Sequence, residues 1–346
     1  MTWRQRQRGG DDSTNIQAQV ANFGISYVDA KNIAMDVFSD NFLKLAQEAH
    51  RIAFERAEEF IANYLHELHE RKPEAIENIQ DPGLQSDILE AQSGFAKTGD
   101  EDLGEVLVDI LVDRSSRSDR NITSLSLSEA LRVSQKLTNT QFAALSCIFV
   151  FKQLKMLNLA NQHQFYGRLL EYLRPLGENI RAVTLSDVQY LAGLGCVTIS
   201  IGSTSIPECF RREYPGLFSR GLDLEQNPVI KGLEGTPLIT NNLRNPNSWQ
   251  FNAVDEATLI RTLEGLGLAE RKDEIVGVMK ANLMTEEEIL AEFQGVDAVV
   301  EPLVGAYNGS QLPNCLNTAI GTAIAHANLR RVTNGSFDSD VGIWIS

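Results

Sequence analysis

Asp109 and Asp113 stand four residues apart, so an expected helix places both carboxylates on one face, where metal-assisted hydrolysis could use them. No further ligand follows at a metal-binding spacing. The pair is therefore expected to be a solvated or ion-paired face, with Arg114 and Arg117 as ready partners. His326, within Ala323-Ile324-Ala325-His326-Ala327-Asn328, has small apolar neighbours and is expected to be a satisfied, partly buried histidine rather than a catalytic or pH-sensing one. His66-Glu67-Leu68-His69-Glu70 is rich in ligand atoms. Zinc-binding HExxH helices, however, need histidines four apart, and these are three apart, so the segment reads as the polar end of a helix. Cys147, Cys196, Cys209 and Cys315 are widely spaced with no CxxC pair, which argues against structural zinc and a disulfide framework and fits a reducing compartment.

Nucleophilic and nucleotide signatures are missing too. There is no GxSxG elbow and no GxxxxGK[ST] loop, and Gly193 and Gly195 precede a strand where a dinucleotide fold needs glycines after one. No catalytic residue, metal or cofactor is expected, and the chain is read as a non-enzyme. His326, Asp109, Asp113 and Cys196 are the weak candidates for a polar site assembled from distant positions.

The 346 residues carry 31 Lys+Arg against 46 Asp+Glu, a formal charge of −15. With 43% hydrophobic and 22% charged residues the composition is globular, which excludes a disordered chain, a fibre and a small disulfide scaffold. Arg4, Arg6 and Arg8 put +3 on the first eight residues, leaving −15 − 3 = −18 on the rest. A body that acidic repels phosphate, so nucleic acid is an unlikely partner except through those three arginines. No uninterrupted apolar run reaches 18 residues, and none follows the basic start, so neither a membrane span nor a secretory signal is expected. Cytoplasmic residence is the expectation.

The elements that must position these residues are mainly helical. Asn15-Ile16-Gln17-Ala18-Gln19-Val20 alternates with a period of two, the mark of a strand. A lone strand is unstable in water, so this one is expected to dock on a sheet elsewhere or on another copy. Residues 29–71 then repeat apolar side chains at three- and four-residue steps, a helix of roughly 60 Å if unbroken, with a break near Asp40-Asn41 as the alternative. Further helices are expected over 84–97, 100–111, 125–137, 142–157, 164–173, 185–191, 256–266, 273–283, 285–293 and 316–331. The one at 142–157, apolar all round, is the core element. Residues 196–201 and 341–345 read as strands that could pair, and 216–248, rich in Gly, Pro and Asn, reads as a long surface loop or inter-domain stretch. The fold class is thus mainly α: a multi-helical body with a long N-terminal helix and a minor β element near 15–20, 196–201 and 341–345. Three parts are expected: an arm over 1–28, a helical domain over 29–193, and a helical domain with a small sheet over 194–346.

Gly99-Asp100-Glu101-Asp102-Leu103-Gly104-Glu105-Val106-Leu107-Val108-Asp109-Ile110-Leu111, followed by Leu137-Thr138-Asn139-Thr140-Gln141, resembles the abortive-infection alpha domain of bacterial phage-defence proteins over about residues 99–157. Leu103, Leu107, Leu111, Leu137 and Thr138 follow that family's order, with approximate spacing in the first helix. The segment 10–19, Ile324-Ala325-His326-Ala327-Asn328 and Ile343-Trp344-Ile345 look like a family of bacterial cytoplasmic proteins to which no activity attaches. Residues 15–20 are also similar to short amyloid-like homotypic motifs with an apolar-Gln-apolar-Gly core, although Gln19 stands where that core has glycine. These resemblances imply a self-associating interaction protein of phage defence or stress response. Asn15, Ile16, Gln17, Ala18, Gln19 and Val20 would mediate assembly or binding of a protein partner. The alternatives are a membrane-disrupting effector acting through 296–307 and 316–329, or an enzyme whose site is not visible as a motif.

Overall fold

A computed structural model describes residues 26–41 and 47–345. The assembly segment 15–20 and the arginines at 4, 6 and 8 lie outside the described residues. The rest is mainly helical, as the periodicities predict. The first half runs α1 Tyr27–Asn41, α2 Gln47–Arg71, α3 Pro82–Thr98, α4 Glu101–Ser115, α5 Ile122–Ser134, α6 Asn139–Lys152, α7 Gln162–Leu173, α8 Gly177–Arg181 and α9 Leu185–Gly193. A strand β1 Val197–Ile199 and α10 Ile206–Glu213 follow, then β2 Ile239–Asn241 and β3 Trp249–Phe251. The chain ends with α11 Glu256–Gly265, α12 Lys272–Ala281, α13 Glu286–Gln294, α14 Val300–Gly309, β4 Cys315–Asn317 and α15 Ala319–Val332. The helical run expected over 29–71 is carried by α1 and α2, and the link at 42–46 lies outside the described residues.

Capping chemistry explains where the helices start. Asp100 accepts from the Leu103 amide at 3.1 Å to open α4, and Thr138 with Gln141, Thr184 with Asp187 and Thr285 with Glu288 form reciprocal capping boxes. Helix α6 is buried from Gln141 to Phe151 without a polar face, so it must be enclosed on every side. Helix α15 packs against α4, α5 and α6, which brings the end of the chain into the first helical layer.

The main hydrophobic core therefore runs from Ala30 to Ile345 and takes in residues on both sides of position 193. A smaller core occupies 222–279, where Leu222, Ile230, Ile239, Phe251, Leu259 and Ile275 pack together. This corrects the reading of 216–248 as a surface loop. Its isolated apolar residues, separated by Gly, Pro and Asn, have no period, yet each anchors a turn: Leu217, Phe218, Leu224, Ile230, Leu233 and Leu238 are all buried.

Two strand expectations change. Within 196–201, Val197–Ile199 form a strand, β1, but it pairs antiparallel with β4 in the register Val197 to Asn317 and Ile199 to Cys315, not with the C-terminus. Residues 341–345 are not a strand: Val341–Ile343 is a 3-10 turn, because Asp340 accepts from the Gly342 amide at 2.7 Å and curls the backbone. The second pair, β2 with β3, belongs to the smaller core.

Asp255 ties the two cores together. It caps α11 by accepting from the Thr258 amide at 2.7 Å and pairs with Lys155 from the main core. Partial burial pushes its carboxyl up, but bonds from Lys155 and Thr258 outweigh this and pull it to about 2. A carboxyl held below its unfolded value of 3.8 adds stability above that pH, and the contribution is lost as pH falls towards 2. Asp255→Ala is expected to cost about 1–2 kcal/mol at pH 7, mostly through the lost cap. In urea melts the difference from wild type should shrink between pH 4 and pH 2. An equal difference at both pH values would count against this account.

Candidate functional site

Helices α4 and α15 bring two carboxylates and an imidazole together deep in the main core. Along α4 the apolar residues Leu103, Val106, Leu107, Val108, Ile110, Leu111 and Val112 point in every direction and are all buried. Asp109 and Asp113 are therefore largely withdrawn from water; they are 6% and 5% exposed. Of the solvated or ion-paired face expected for them, the solvated alternative fails and Asp109 is ion-paired. Their expected partners also differ. Arg114 pairs with Asp87 at 2.9 Å and Arg117 with Asp340 at 2.6 Å. Asp109 is instead held through Oδ1 by Arg71 of α2 at 2.6 Å and Arg330 of α15 at 3.2 Å.

The seat of α15 explains why His326 joins them. Thr318 caps the helix by accepting from the Gly321 amide at 3.2 Å, and its hydroxyl donates to the Gly195 carbonyl at 2.6 Å. A Cβ on Gly321 would lie 2.0 Å from the Cys196 carbonyl oxygen, so only glycine lets α15 approach β1 this closely. Asn328 fixes the rotation of the helix by donating to Ser146 Oγ of α6 at 2.8 Å. Two turns into α15, His326 is 1% exposed among Phe149, Phe337 and Trp344. Its burial agrees with the sequence reading and goes further, since it is enclosed completely.

His326 Nε2 lies 2.6 Å from the Ser339 carbonyl oxygen, and Nδ1 lies 3.7 Å from Asp113 Oδ2. One donor atom each from Asp109, Asp113 and His326 fall within 4.8 Å of one another, a set able to hold a single cation. Burial pushes the Asp109 carboxyl up, against the pull of Arg71 and Arg330 and with a further push from Asp113. Burial lowers His326 below the usual histidine range, although Asp113 pulls the other way. Three of the four weak sequence candidates are thus one cluster.

On the outer side Asp109, Arg71 and Arg330 also line an open cavity of about 500 Å³ between α2, α4 and the end of α15. Glu59, Glu67, Glu101 and Glu105 stand around it, with His66 and Arg331. The cavity therefore carries more carboxylates than cations, even with Arg331 paired to Asp102. His66 enters the site only as an exposed member of this wall.

Cys196 does not join. It is buried at the N-terminal end of α15, where its carbonyl meets Gly321, and burial pushes its thiol up to about 12. Cys209, similarly buried, is pushed up to about 11, so neither is a ready nucleophile. Arg71, Arg330 and Ser339 are the members sequence reading missed. The usable signal was the unbroken apolar surround of α4, which forces its aspartates to find cations elsewhere. Among the described residues no helix is long and apolar enough to cross a membrane.

No curated protein and no solved structure matches the chain. A family model whose description names no activity matches residues 24–345, nearly the whole sequence and all of the core, cavity and cluster. The chain belongs to that family, whose function is unknown.

Proposed function

We propose that the chain is a two-part interaction protein of bacterial phage defence or stress response, in which residues 15–20 drive self-association and the helical body carries the response. The observation that supports this reading is the boundary itself. The family match begins at residue 24, so the alternating segment Asn15-Ile16-Gln17-Ala18-Gln19-Val20 stands outside the shared body. Its period of two contrasts with the helical periods that follow, and identical copies of such a strand can satisfy each other's backbone groups by stacking. Protein partners would enter by the same strand-addition chemistry.

The test is light-scattering mass on the full chain and on a version lacking residues 1–23. That truncation spares Ser26, whose hydroxyl donates to Asp29 at 2.7 Å in the first turn of α1. The full chain is expected to form a large discrete assembly and the truncated chain a monomer with unchanged helix content. Equal masses for the two would defeat the proposal.

A second reading, a body that binds a small ligand or acts on it, is favoured by the cavity of about 500 Å³ that opens beside the buried Asp109, Asp113 and His326 cluster. Ligand screening by thermal shift on the truncated chain separates this reading from the first.

A further inference from the structure

We infer that Asp109, Asp113 and His326 form a binding site for one divalent transition-metal ion, reached from the acidic cavity between α2, α4 and α15. The inference is independent of whether residues 15–20 assemble the chain.

Three observations carry it. The first is the donor set: two carboxylate oxygens and a ring nitrogen within 4.8 Å of one another, all on residues buried in the core. The second is an orphaned atom. Asp109 Oδ1 is held by Arg71 and Arg330, but Asp109 Oδ2 is buried with no hydrogen-bond partner. A buried carboxylate oxygen left unpaired is costly, and native structures rarely tolerate one without an ion or water to meet it.

The third observation is the tautomer of His326. The Ser339 carbonyl only accepts, so the 2.6 Å contact makes Nε2 the nitrogen that carries hydrogen. Nδ1 is then the ring nitrogen turned to the cluster, and it faces Asp113 Oδ2 at 3.7 Å, too long for a hydrogen bond between them. A cation between them would give both atoms a partner. An N–H donated outward to a backbone carbonyl is also how metal-bound histidines are usually oriented.

The surrounding charges permit such an ion. Arg71 and Arg330 are the nearest cations, and both are engaged: Arg71 also meets Glu67 at 3.8 Å, and Arg330 pairs with Asp338. Both approach Asp109 through Oδ1, leaving Oδ2 unpartnered. Asp340, next to Ser339, is taken up by Arg117 and Lys72. Outside, Glu59, Glu101 and Glu105 on the cavity wall attract cations rather than anions. One imidazole with two carboxylates suits Mn²⁺, Fe²⁺, Co²⁺ or Zn²⁺ better than Ca²⁺ or Mg²⁺, which prefer oxygen alone.

The test uses the full chain, stripped with EDTA, exchanged into chelator-free buffer and titrated with CoCl₂. Saturation at one Co²⁺ per chain is expected, with a visible d–d band and partial quenching of tryptophan fluorescence. The quenched residue is Trp344, whose ring centroid lies 5.8 Å from that of His326. At about a hundred-fold excess over Kd the melting temperature should rise by roughly 5 °C. Asp113→Asn and His326→Gln should each weaken binding at least ten-fold, and Trp344→Phe should remove the quenching but keep the band. Should a variant fail to fold, the wild-type titration decides alone. Lack of saturation, a stoichiometric site with no tryptophan quenching, or a site that survives in folded Asp113→Asn and His326→Gln would overturn the inference. So would ¹⁵N spectra of the stripped protein at pH 7.5 showing hydrogen on Nδ1 of His326.

Discussion

Phe149→Ala is expected to lower the stability of the main core by about 3–5 kcal/mol, the usual range when a fully buried aromatic is truncated. Phe149 has no exposed surface, and its ring meets Trp344 edge-on at 4.9 Å, Phe337 at 6.0 Å and His326 at 6.5 Å. These contacts join α6 to the last turn of the chain. Residues 333–345 have few other apolar anchors, chiefly Val341 and Ile345, so the loss should fall first on that segment. Urea melts monitored by Trp344 fluorescence should then show an earlier transition than circular dichroism, which follows the helices. A midpoint shift equivalent to less than about 1 kcal/mol would mean that the closing segment is held by something other than this ring cluster.

How much of this was legible in the sequence depended on the range of the signal. Local chemistry read well. Asp100, Thr138 and Thr285 announced helix starts that the structure keeps, and the unbroken apolar character around Phe149 identified α6 as the core element. Where partners lie far apart in the chain, the sequence was mute or misleading. The strand near 196–201 was visible, but its partner β4 was hidden inside a stretch read as helix, because only three residues, Cys315, Leu316 and Asn317, stay extended before Thr318 caps α15. Residues 341–345 have strand-like composition, yet a side-chain bond from Asp340 decides their shape. Local hydrogen bonding of that kind competes with sheet formation and leaves no periodicity to read.

The candidate site shows the same divide. Spacing singled out Asp109 and Asp113, and small neighbours singled out His326. Nothing within either segment says that they meet, since α4 and α15 lie far apart in the chain. Partner choice failed for a related reason. Arg114 and Arg117 were the nearest cations in sequence, but a helix rotated to bury Asp109 turns those arginines towards Asp87 and Asp340.

Asp109→Ala is expected to cost about 3–5 kcal/mol, because it leaves the guanidinium groups of Arg71 and Arg330, 15% and 14% exposed, without the carboxylate between them. Asp109→Asn keeps an oxygen where Oδ1 accepts from Arg71 and sheds a negative charge that burial already disfavours, so it should cost far less. Adding Arg330→Ala to Asp109→Ala should recover part of the loss, since it removes one of the two cations that lost Asp109, and the double-mutant cycle should give a coupling of about 1–3 kcal/mol. Chemical denaturation of the four proteins at pH 7 checks the series; a coupling near zero would mean that Arg71 alone neutralises Asp109. The contrast also bears on the metal site. Binding lost in Asp109→Ala would be indistinguishable from lost structure, because that residue joins three helices. Asp113 and His326 carry fewer of those ties, and their substitution separates holding an ion from holding the fold.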